Sequence, residues 1–150
     1  MGRIASIGVA LLLVAAAAGC GGGGDGGGGK TLSKNEYVAA LNAACTEANK
    51  AFSQLGTGDL ASFQRKGAEV VAAAKKANEA FHAARPPNEL RAEAAVFNDS
   101  ADRIVEDMQA MADAAKSGSR VKFEAAYRSL QTHGSANASA ARSIGSDACS

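Results

Sequence analysis

The sequence predicts an all-α protein, an up-down-up-down four-helix bundle, and three observations carry that expectation. From Lys30 onward, four segments place apolar or small residues at alternating spacings of three and four, the repeat of one helix face. The connections between them are short and hold the helix breakers: Gly56-Thr57-Gly58-Asp59, the adjacent Pro86-Pro87, and Ser117-Gly118-Ser119. Alanine, the strongest helix former, is the commonest residue of this part of the chain.

The first helix is announced by Ser33-Lys34-Asn35-Glu36, in which Ser33 and Glu36 can satisfy each other's free backbone N–H groups. Its apolar seam runs Val38, Leu41, Cys45, Ala48, Phe52 and Leu55, and the glycine turn ends it. The second seam runs from Leu60 through Phe63, Gly67, Val70, Ala74, Ala77 and Phe81 to Ala84, where the prolines stop it. Asn88 is placed to cap the third helix, whose seam is Leu90, Ala94, Phe97, Ala101, Ile104, Met108, Met111 and Ala115. The fourth offers Phe123, Tyr127, Leu130, Gly134, Asn137, Ala141 and Ile144 before Gly145 stops it. Seams so rich in Ala and Gly predict closely packed helices around a thin core.

Ahead of the bundle the composition changes. Residues 1–19 read as an export signal: Arg3 supplies the positive start, Ile4 to Ala18 the apolar stretch, and Gly19-Cys20 a small-residue cleavage site. The apolar stretch is shorter than the roughly 20 residues a spanning helix needs. Ala17-Ala18-Gly19-Cys20 resembles a bacterial lipobox, in which the cysteine is lipidated and becomes the mature N-terminus; an ordinary signal cleavage would instead release a soluble product. Residues 20–32 then form a tether whose glycine run, broken only by Asp25, is a flexible coil spanning roughly 17 Å. Residues 33–150 are the bundle.

Gly24-Asp25-Gly26-Gly27-Gly28-Gly29-Lys30-Thr31 matches the phosphate-loop pattern G-x-x-x-x-G-K-[ST] letter for letter. Such a loop works between a buried strand and a helix N-terminus. Here the would-be strand is the export signal, so the expectation is a leash and no nucleotide. The formal net charge of +1 falls to near neutrality once Arg3 is removed, which argues against nucleic acid.

Of the three cysteines, a lipidated Cys20 leaves Cys45 and Cys149, which have one possible pairing in an oxidising compartment. Up-down topology also brings the end of the fourth helix beside the start of the first. The segments LNAACTEANKAF, ARPPNEL and ARSIGSDACS together resemble small actinobacterial lipoproteins in which a cysteine of the first helix pairs with one near the C-terminus. The resemblance implies fold and location, the outer face of the bacterial cell membrane, and carries no functional residue beyond the cysteines.

Chemical constellations are sparse. Glu79-Ala80-Phe81-His82 matches the Glu-x-x-His element of di-iron bundles, but it has no second copy, and the seam phase points Glu79 and His82 outward. Met108 and Met111 lie on the seam as core filling. Asp99, Asp102, Glu106, Asp107 and Asp113 give the third helix an acidic outer face, and Arg65, Lys66, Lys75 and Lys76 give the second a basic one; both read as solvated surfaces. Gly134 and Asn137 are poor choices for a mid-helix seam. They read either as a tight helix contact with a register-fixing polar pair, or as a small polar cavity beside Tyr127 that admits a ligand. The sequence therefore predicts no catalytic residue, metal or cofactor. It predicts a membrane-anchored, non-enzymatic interaction module for another envelope protein, or alternatively an extracytoplasmic binder or carrier of a small ligand or metal inside the bundle, with Tyr127, Gly134 and Asn137 as candidate contacts.

Overall fold

The computed structural model describes residues 30–150. The expected export signal, the expected lipidation at Cys20 and the glycine run read as a tether fall outside the described residues. Four helices follow in order: α1 (Lys34–Ser53), α2 (Leu60–Ala83), α3 (Arg91–Lys116) and α4 (Arg120–Ile144). Successive helices pack against each other, while α1 and α4 approach only sparsely at the backbone level. Among the described residues no helix is long and apolar enough to cross a membrane.

The helix ends follow from local chemistry. The Ser33 N–H donates to Glu36 Oε2 at 2.8 Å and the Glu36 N–H to Ser33 Oγ at 3.4 Å, the reciprocal box that starts α1. Asp59 Oδ1 accepts from the Ser62 N–H at 2.8 Å and starts α2. Helices α3 and α4 end alike: Gly118 (φ 69°) and Gly145 (φ 92°) take the left-handed conformation, and the next N–H reaches back to Ala114 O and Ala141 O, each at 2.9 Å. That is the Schellman pattern. The sequence expectation fails at Asn88. This residue opens a 3₁₀ turn, Asn88–Leu90, and α3 begins at Arg91 without a side-chain cap. The double proline holds the preceding chain extended, so the helix needs one tighter turn before it propagates. The seam of α1 also stops early, at Ser53, and Leu55 reaches the core from the following turn.

The interior divides into two clusters. One gathers Tyr37, Leu41, Phe81, Phe97 and Ile144, with the Phe81 and Phe97 rings edge to face at 4.9 Å. The other gathers Phe63, Val70, Met108, Met111 and Phe123, with Phe63 and Phe123 edge to face at 5.3 Å. Where they meet, α1, α2 and α3 contribute Ala48, Ala77 and Ala101 of the first cluster and Ala74 of the second, all buried. Side chains that small leave space where the layers meet.

Beyond Gly145 the chain turns back and docks along α1. Asn42, Cys45 and Asn49 stand at helical spacing on one ridge. Asn42 Oδ1 accepts from Ser146 Oγ (2.7 Å) and the Ala148 N–H (3.1 Å), Asn49 Nδ2 donates to Ala148 O (3.0 Å), and Cys45 is bonded to Cys149. The pairing expected from the cysteine count is therefore present, and the tail belongs to the wall between α1 and α4.

Candidate ligand-binding cavity

The alanine level and the docked tail enclose a cavity of about 170 Å³, partly open to solvent, lined by all four helices and by Ala148, Cys149 and Ser150 of the tail. Its walls are Phe52, Phe81, Ile104, Val105, the alanines and the disulfide, with Asn49, Asn78, Asn137 and Ser150 as polar members. Among the described residues no charged side chain lines it.

Asn137 sits on α4 facing α3 and is 9% exposed. Its Nδ2 donates to Phe97 O and to Ser100 Oγ, both at 3.0 Å. Ser100 is buried too, and its hydroxyl lies 2.9 Å from both Val96 O and Phe97 O of its own helix. With its one hydrogen directed at those carbonyls, Ser100 Oγ is left to accept from Asn137. Asn78 Nδ2 donates to Asp102 Oδ1 at 2.7 Å, and its own Oδ1 is buried with no partner among the described residues. Burial opposes ionisation of Asp102, but the Asn78 amide and the His82 ring outweigh it and hold the carboxyl below its usual value.

Of the three candidate contacts read from the sequence, only Asn137 lines the cavity. Tyr127 is 44% exposed on α4, and an added Cβ at Gly134 would meet nothing within 4 Å. Gly134 is thus neither a tight helix contact nor part of the cavity wall, and the polar pair to Asn137 is Ser100. Asn49, Asn78 and the tail's place in the cavity wall were missed. Asparagines three before and four after Cys45 were the available signal for the docking ridge.

The histidines are more organised than a solvated face requires. His82 Nε2 lies 2.8 Å from Asp102 Oδ1, joining α2 to α3. His133 Nδ1 lies 2.6 Å from Asp107 Oδ2, joining α4 to α3. Neither ring hydrogen-bonds a serine, threonine or cysteine among the described residues, and no group of three or more His, Cys, Asp or Glu side chains converges there. Glu79 faces solvent, while Met108 and Met111 are buried in the second cluster.

Comparison with family profiles, with curated proteins and with solved structures finds no match to this chain.

Proposed function

We propose that this protein is a membrane-tethered, non-enzymatic binding domain of the bacterial cell envelope, and that it holds a small ligand in the cavity between the two core clusters. The cavity, about 170 Å³ and built around a fixed Asn137, is the observation that carries this reading. An apolar void of about 150 Å³ in another helical protein admits benzene, so the space suits a molecule of roughly six to ten non-hydrogen atoms. The alternative role as an interaction module rests on the tether alone, and a tether serves a ligand binder at a membrane surface equally well. The lipobox-like Ala17-Ala18-Gly19-Cys20 supports a location on the outer face of the cell membrane, with the lipid as the membrane contact.

The test is native mass spectrometry of the full chain extracted in mild detergent from the membranes of a bacterial host. A stoichiometric small-molecule adduct, absent from an Ala101→Leu variant of unchanged helicity, supports binding. An empty protein whose melting temperature no small neutral molecule raises would overturn it.

A further inference from the structure

Which molecules the cavity accepts follows from where its polar groups have already spent their hydrogens. The Asn137 amide is fixed, because Phe97 O can only accept and so must face the nitrogen. Both Nδ2 hydrogens are then committed, to Phe97 O and Ser100 Oγ. Oδ1 points the other way. It accepts no hydrogen bond among the described residues, yet it is not one of the sealed, partnerless atoms of the interior; it is the open polar atom of a residue that lines the cavity. The other polar lining groups each turn one hydrogen into the protein, Asn49 Nδ2 to Ala148 O, Asn78 Nδ2 to Asp102 Oδ1, and Ser150 Oγ to Asp147 O, while Asn78 Oδ1 is a second acceptor without a partner among the described residues, sealed from solvent. The cavity therefore offers an open acceptor held in place, on a wall that is largely apolar.

Building on the proposed binding role, we infer that the ligand is a small uncharged molecule, largely apolar, carrying one O–H or N–H donor that it presents to Asn137 Oδ1. A carboxylate or phosphate would find few free donors, and a cation no charged side chain among the described lining residues. Either would be stripped of water at a cost that neutral side chains do not offset. A neutral donor loses one hydrogen bond to water and regains one to an acceptor that needs no reorganisation. Position and size agree with this class, since the alanine level admits a ring or a short branched chain beside the disulfide.

The experiment titrates the full chain with three probes of similar size: phenol, toluene and benzoate. Phenol is expected to bind about tenfold more tightly than toluene, the difference expected of one well-placed hydrogen bond, and benzoate not measurably. Asn137→Leu should abolish the preference of phenol over toluene, and Ala101→Leu should abolish binding of both. In a second readout that needs no variant, the Asn137 side-chain amide resonances should move with phenol and stay in place with toluene. If no probe binds, the binding role itself fails. If toluene or benzoate binds as well as phenol, or the Asn137 resonances ignore phenol, the cavity remains a binding site and this ligand class is wrong.

Discussion

Gly134 and Asn137 stand one turn apart on α4, and both look like defects in a helix seam until their surroundings are known. Asn137 is explained by Ser100 and by the Phe97 carbonyl it grips. Gly134 has no such reason: nothing lies within 4 Å of where its Cβ would be, and it carries no left-handed φ that would demand glycine. Gly134→Ala should therefore stabilise the fold by up to about 1 kcal/mol through helix propensity, raising the melting temperature by roughly 2–8 °C; an unchanged or lower value in a calorimetric scan would mean that the space is needed. Asp102 gives a second test, now against pH. Its carboxyl is depressed in the folded state despite burial, through Asn78 and His82, so folding favours the ionised form. That contribution is complete above the unfolded value of about 3.9 and fades as pH falls through the lower folded value. Asp102→Asn should then weaken the protein at neutral pH, and the gap from wild type in urea unfolding should shrink by about pH 3. A gap that widens in acid would reverse the assignment. From the sequence Asn137 had only a seam position and Asp102 a place on an acidic outer face; that Asn137 meets Ser100 and Asp102 meets Asn78 depends on helix register, which no single segment encodes.

Helix existence was legible because each segment carries its own start and stop. The capping box at Ser33, the glycines after α3 and α4, and the double proline all act within a few residues. So were the seams of α2 and α3, whose buried positions recur at the expected spacing from Phe63 to Ala115. Tyr37, fully buried and with no hydrogen-bond partner for its hydroxyl among the described residues, escaped because the neighbouring Val38 fits the seam period equally well. The tail's return to Cys45 follows from the expected cysteine pairing, but its further hold on α1 escaped, because the tail has no period and is held by contacts about a hundred residues away in sequence. Its clasp spans 104 residues, for which the chain-entropy account gives up to about 4.7 kcal/mol, often less in practice. Cys149→Ser should lower the melting temperature by roughly 10 °C. Hydrogen exchange then separates the tail's two anchorages. The Ser146 N–H, bonded to Ala141 O within the α4 terminus, should keep its protection, whereas the Ala148 N–H on Asn42 should lose most of it. Equal loss at both would mean that the helix end and the clasp unfold together.

The cavity belongs to the assembled molecule, since it exists only where alanines from three helices reach one level and the tail closes beside them. Location belongs to the whole chain as well. Leu32 packs partly into the first core cluster, and its N–H donates to Arg85 O at 3.0 Å, so the tether enters the bundle beside the proline hinge. The surface near that hinge is the one closest to any anchor at Cys20. A diacylglyceryl group supplies two chains, and hydrocarbon burial contributes about 0.8 kcal/mol per CH₂, so two chains hold a protein at a bilayer where one is marginal. No described helix could substitute for that anchor by spanning the membrane. Expressed in a bacterial host, the protein should therefore sediment with membranes, partition into detergent, and show a diacylglyceryl mass on Cys20. Cys20→Ala should move it to the soluble fraction while Cys45–Cys149 still forms, because the bundle's core and clasp lie between Leu32 and Cys149. A wild-type protein recovered from the medium with an unmodified N-terminus would replace the lipid anchor with simple secretion.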